Sequence, residues 1–158
     1  MTVKRNTPKV YRKRNRSPHQ KCNIVTRRET IALIGAWMYS LITPNFTRAE
    51  WRCPCCYKDD HDRQFVEMLQ ELRNAIGPMP LSSAYRCERY NKRIGGVGGS
   101  AHIKGIGADV LISGERAMQC FEQARRIGFS GIGLSQKGPI SSHFIHLDIL
   151  PRKAFWTY

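Results

Sequence analysis

The first 28 residues of this 158-residue chain contain no aspartate or glutamate, against ten lysines and arginines. That absence localises the formal charge of +14, because the rest of the chain carries 16 basic and 12 acidic residues, or +4. The charge expected of a nucleic-acid binder therefore belongs to the N-terminal segment and not to the domain that follows. With no apolar periodicity either, residues 1–28 read as a basic, disordered tail. Its expected partner is polyanionic: an anionic envelope polymer, nucleic acid or anionic lipid.

Long hydrophobic runs are scarce. The one extended run, Ile31 to Ile42, has about 12 residues where roughly 20 are needed to cross a bilayer, so no transmembrane segment is expected. Thr43-Pro44-Asn45 after it offers no small-x-small cleavage site. Residues 29–45 are read instead as an apolar helical segment that packs on the domain or engages a membrane surface beside the tail. A second close cysteine pair is also missing. Cys53-Pro54-Cys55-Cys56 contains a C-x-x-C spacing, but Cys22, Cys87 and Cys120 stand singly. A zinc ribbon is disfavoured, and a local role by disulfide or as small buried hydrophobes is expected. The run Gly95-Gly96-Val97-Gly98-Gly99 lacks the G-x-G-x-x-G spacing and no Gly-Lys-Ser/Thr follows it, which leaves a flexible loop and not a nucleotide-phosphate cradle. No internal repeat is visible.

What is present is one domain's worth of elements, over residues 46–158. Phe65, Met68, Leu69, Leu72 and Ile76 recur at helical spacing until Gly77-Pro78. Pro80 to Tyr85 has strand character, and Cys87 to Ile94 fits one or two helical turns. Gly107 to Ser113 reads as a buried strand. Ala117, Cys120, Phe121 and Ala124 form the stripe of a helix ending near Gly128, and Ile132 to Leu134 and Phe144 to Leu150 add two strands. The expected class is α+β: a small, mainly antiparallel sheet covered on one side by helices, in a monomer.

Three of the five histidines fall in two short motifs. One is Ser100-Ala101-His102 with Asp109 seven residues past the histidine; the other is His143 to Asp148, containing His146-Leu147-Asp148. Two imidazoles and a carboxylate are a usual protein ligand set for catalytic zinc, which keeps a position open for water. Asp109 lies in the apolar stretch Ala108 to Ile112, where an unpaired carboxylate is costly and a metal or cation beside it is expected.

Ser100-x-His102-x-x-Gly105 with Asp109, then His146-x-Asp148, resembles the zinc D-Ala-D-Ala peptidases, a family of D,D-carboxypeptidases, D,D-dipeptidases and phage endolysins with the hedgehog-like zinc peptidase fold. The resemblance runs from about Phe46 to the C-terminus through Ser83-Ala84-Tyr85-Arg86, Tyr90-Asn91, Gly95-Gly96, Gly131-Ile132-Gly133, Pro151-Arg152 and Trp156. It implies that His102, Asp109 and His146 bind Zn2+. Arg86 would contact substrate and help hold developing negative charge, with Tyr85 and Ser100 as further substrate contacts; by itself Arg86 also fits a structural ion pair. Gly107 stands where the family often has Ala, a small-for-small change. His143 stands where many members place Glu or Asp, which leaves the general base open between Asp148 and His143. Strand alternation favours Asp148, since residues two apart share a face with His146, whereas a loop or bulge before Phe144 would favour His143.

The resemblance implies a zinc-dependent hydrolase acting at the bacterial cell wall, on peptide bonds of peptidoglycan that involve D-alanine, as a D,D-carboxypeptidase or an endolysin-type endopeptidase. The alternative is a non-catalytic, zinc-stabilised binding protein docked to an anionic surface by its tail, as hedgehog signalling domains share the resemblance without guaranteeing hydrolysis. A nucleic-acid-associated role has the tail in its favour and the near-balanced domain against it.

Overall fold

The computed structural model describes residues 44–158. The expected basic tail, the apolar segment up to residue 43, His19 and Cys22 lie outside the described residues.

The described chain forms α1 (Arg48–Trp51), α2 (Arg63–Ile76), β1 (Leu81–Ser83), α3 (Glu88–Arg93), β2 (Gly107–Leu111), α4 (Gly114–Ile127), β3 (Gly131–Ser135), a 3-10 turn (Ile140–Ser142), β4 (Phe144–Asp148) and β5 (Ala154–Thr157). The strands make one five-stranded sheet in the order β1-β2-β4-β3-β5, antiparallel except for the β3–β5 edge pair. This is the expected α+β class with its mainly antiparallel sheet. Three elements escape the sequence reading: α1, the 3-10 turn and β5.

Local chemistry explains the boundaries. Asp62 caps α2 by accepting a hydrogen bond from the Phe65 amide at 3.0 Å, and Gly77, at φ +80°, ends it. Gly128, in the left-handed region, closes α4 with its amide donating to Ala124 O. In α1, Glu50 accepts from the Thr47 amide and hydroxyl, each at 2.8 Å, while its other oxygen accepts from Leu81 N at 3.1 Å. One carboxylate thus caps a short helix and ties it to the first strand.

One face of the sheet takes the helices. Phe65, Val66, Leu69 and Leu72 of α2 and Ala117, Cys120 and Ala124 of α4 pack on Ala108, Val110, Ile112, Ile132, Ile145 and Leu147 in a single buried cluster. Those strand residues alternate along the chain, so the residues between them face the other way. That opposite face carries Gly107, Asp109, Gly131, Gly133, His146 and Asp148.

Candidate metal centre

Asp109 at the middle of β2 is the register partner of His146 on β4, so both side chains leave the same face as neighbours. His102 reaches them from the turn Ser100–Gly105 between α3 and β2. Two glycines make that approach possible. A Cβ on Gly105, which has φ +69°, would lie 2.1 Å from Asp60 O, and one on Gly107 would lie 2.7 Å from the Ala101 Cβ. The Gly107-for-Ala difference noted in the sequence is therefore not a neutral exchange of small residues in this chain: a methyl there would push on the segment that carries His102. The turn is fastened on its other side by the β1–α3 connection, with His102 Nδ1 donating to Ala84 O at 2.7 Å and Arg86 N donating to His102 O at 3.1 Å.

These contacts fix both imidazoles. With its Nδ1 proton on Ala84 O, His102 presents the Nε2 lone pair; with its Nε2 proton on Asp148 Oδ2 at 3.1 Å, His146 presents the Nδ1 lone pair. The two lone pairs face each other at 3.2 Å, and Asp109 Oδ1 stands 2.8 Å from the His146 nitrogen and 3.2 Å from that of His102. All three groups are buried. Three acceptors converging away from water repel one another unless a cation sits among them, and two imidazoles with a carboxylate suit zinc. The donor set fits a metal ion, and the three ligand atoms lie within 4.8 Å of one another.

The electrostatics agree. Burial opposes the Asp109 charge, but whenever a proton, in place of a metal, sits on the facing nitrogen of His102 or His146, the bond and positive charge it supplies outweigh this and hold the carboxyl below the usual range. Burial likewise opposes charge on His146, and its bonds to Asp109 and Asp148 more than offset this, raising its pKa. A proton is drawn to the spot that a metal would take.

Asp148 sits behind this group. It is fully buried and accepts from His146 Nε2, from Leu150 N at 3.0 Å and from Arg152 Nη2 at 2.9 Å. Gly131 makes the room: a Cβ there would lie 2.3 Å from the Asp148 carboxylate. A Cβ on Gly133 would likewise strike the Trp156 ring at 2.4 Å. The Gly131-Ile132-Gly133 segment thus leaves room for a carboxylate and an indole beside His146, whose ring centroid is 5.6 Å from that of Trp156.

A cleft of about 550 Å³ opens over the group, lined by Arg86, Ser100, His102, Asp109, His146 and Asp148 together with Gly95 to Val97, Arg152, Trp156 and Tyr158. Arg86 donates from Nη2 to Asp109 Oδ2 and from Nε to Ser83 Oγ at 2.7 Å, so it shares the carboxylate with the two histidines while facing the cleft. The glycine run expected to be a flexible loop forms one wall and is pinned: buried Asn91 donates from Nδ2 to Val97 O at 3.0 Å.

Two expected site residues are placed elsewhere. Tyr85 does not line the cleft, and its ring stands 6.1 Å from that of His61. His143 follows the 3-10 turn, so the chain is indeed interrupted before Phe144, yet its Nε2 bonds Gly138 O at 3.0 Å and its side chain is not part of the cleft wall. Conversely, the contribution of β5 and Tyr158 to the wall was not legible in the sequence.

A comparison with family models matches residues 44–148, more than half of the chain, to the family described as Peptidase M15. No curated protein matches the chain. Among the described residues, no helix is long and apolar enough to cross a membrane.

Proposed function

The chain belongs to the peptidase M15 family, a family of zinc-dependent peptidases, and from that premise we propose that it hydrolyses peptide bonds of bacterial peptidoglycan at a bond involving D-alanine, with His102, Asp109 and His146 as the zinc ligands. The observation that carries this reading is the convergence of two tautomer-fixed imidazoles and one carboxylate at the floor of an open cleft with arginines on its wall. Zinc held there supplies Lewis acidity, lowering the pKa of a water from ~15.7 to about 7 and polarising a carbonyl.

The chain's own residues do the rest. Arg86, already at Asp109 Oδ2, has its guanidinium in the cleft wall, where it can also meet an oxyanion or a substrate carboxylate. Ser100 lines the same wall and starts the turn that delivers His102. Asp148 holds the Nε2 proton of His146 and so keeps Nδ1 free for the metal; with three N–H donors already on it, we assign it this positioning part.

The test is digestion of purified peptidoglycan by the zinc-loaded full chain, with the released fragments identified by mass spectrometry. Peptides or free D-alanine in the digest, lost on chelation and restored by zinc, are the expected result. An intact wall after incubation with folded, zinc-loaded protein overturns the substrate assignment.

A further inference from the structure

One cysteine that stands singly in the sequence, Cys87, is brought in space to the Cys53–Cys56 segment. Cys53, Cys56 and Cys87 bring their three Sγ atoms within 4.8 Å of one another, and none of the three is in a disulfide. We propose that these three thiols bind a structural zinc ion, separate from the His102–Asp109–His146 site.

The backbone around them is arranged for thiolates. Cys53 Sγ accepts from the Cys87 amide at 3.4 Å and from the amides of Cys55 and Cys56, so three N–H groups converge on one sulfur. The loop that makes this possible closes with Tyr57 N on Cys53 O at 2.9 Å and Cys53 N on Lys58 O at 2.8 Å. Tyr57 adopts φ +59°, unusual for a residue with a side chain and here imposed by the tight turn. Cys87 caps α3, its Sγ accepting from Tyr90 N at 3.4 Å. Amide donors of this kind stabilise a charged sulfur, and a disulfide sulfur has little use for them.

A disulfide also fails on counting, because any bond among the three leaves one thiol over at the same place. Without a cation, three sulfurs crowd within 4.8 Å of one another with no disulfide between them. Zinc resolves this by taking three thiolates and releasing their protons to solvent. Cys56 and Cys87 are only partly buried, so a water would take the fourth position, one protein ligand fewer than the closed four-ligand set usual for structural zinc.

The position gives the ion a task. Successive amides of Tyr85, Arg86 and Cys87 donate to Trp51 O, His102 O and Cys53 Sγ. A metal holding Cys87 to the 53–56 loop would therefore fix the short segment that carries Arg86 and grips the His102 turn.

The experiment is zinc analysis of the full chain purified under reducing conditions, joined to absorption spectroscopy after exchange with Co2+. About two zinc ions per chain are expected, falling to about one in Cys87→Ser and to about one in His102→Ala. Since the His/Asp set has no sulfur, a thiolate-to-cobalt charge-transfer band comes, among the described residues, from the cysteine cluster. It should persist in His102→Ala and vanish in Cys87→Ser. Should Cys87→Ser fail to fold, the band in the otherwise unaltered His102→Ala protein still decides. Absence of that band in folded, Co2+-saturated protein, or a purified mass lower by the two hydrogens of a disulfide, overturns the second site whatever the peptidase activity proves to be.

Discussion

The two faces of the central sheet are both buried and are held by opposite means. On the helix face, Ala108, Val110, Ile132, Ile145 and Leu147 are fully buried apolar residues filling a shared core. On the other face the same strands present Asp109, His146 and Asp148, with Gly107, Gly131 and Gly133 between them. The first face stabilises the fold by removing apolar area from water. The second spends that stability on polar groups whose partners are arranged for a ligand. Stability and function are thereby assigned to alternate residues of one strand, and each half of that statement can be broken separately.

The largest expected effect comes from splitting neighbours on β4. His146→Ala should abolish zinc binding at the proposed His102–Asp109–His146 site and all detectable turnover, while the zinc-free protein keeps its thermal unfolding transition. Leu147→Ala, one residue on, should cost about 2–5 kcal/mol of stability, read by denaturant unfolding, with the ligand set intact. If His146→Ala unfolded the metal-free protein as Leu147→Ala does, the division between the faces would be wrong.

Next come the glycines that make the polar face possible. Gly131→Ala and Gly133→Ala place a methyl against the Asp148 carboxylate and the Trp156 ring, and each should lose about 1–3 kcal/mol as overpacked sites do. Their signatures should differ. Gly131→Ala disturbs the Asp148–His146 pair and should weaken zinc binding as well, whereas Gly133→Ala should act mainly on Trp156 and the cleft wall. Equal zinc affinity in both variants would show that Asp148 does not act through His146.

Asp148→Asn isolates that action without adding bulk. An amide oxygen can still accept from His146 Nε2 but brings no charge, and outer-shell changes of this type cost about 10–100-fold in metal affinity or activity. The expected outcome is weaker zinc binding by competition with a chelator, with turnover largely recovered at saturating zinc. A 100-fold or greater loss of rate with full zinc occupancy would instead make Asp148 the general base that strand alternation in the sequence suggested.

How much of this was legible in the sequence follows from the range of each interaction. The helix face was readable because alternation and the 3.6-residue period are local signals, and Asp109 and His146 stood out because a carboxylate and an imidazole interrupt apolar strands. Asp148 sharing a face with His146 was also readable, but not that it meets the Nε2 side of the ring, since that depends on the rotamer the site imposes. Strand β5 was missed because Ala154–Thr157 follows Pro151-Arg152-Lys153 and pairs in parallel with β3, a partner no hairpin announces. The cysteine cluster was missed for a related reason. Cys87 is brought to Cys53 by the passage of β1 between them, and its 31 or more residues of separation carry no spacing signal.

The smallest expected effect belongs to His143, and it sharpens the comparison at the point where the strand begins. The residue lies outside β4, after the 3-10 turn, and its Nε2 is within 3.0 Å of Gly138 O. Its backbone carbonyl accepts from Ile112 N at 3.3 Å, so the main chain at this position is anchored whichever side chain it carries. A His143→Gln variant keeps a side-chain N–H donor for Gly138 O and should leave zinc content unchanged and turnover within a few-fold of the parent. General-base removal, by contrast, costs about 10²–10⁴-fold. A loss of that size with zinc retained would mean that the 136–143 connection carries the imidazole into the cleft during turnover. The polar face would then draw a catalytic group from beyond the strand, and the separation of tasks between alternate residues would end at Phe144.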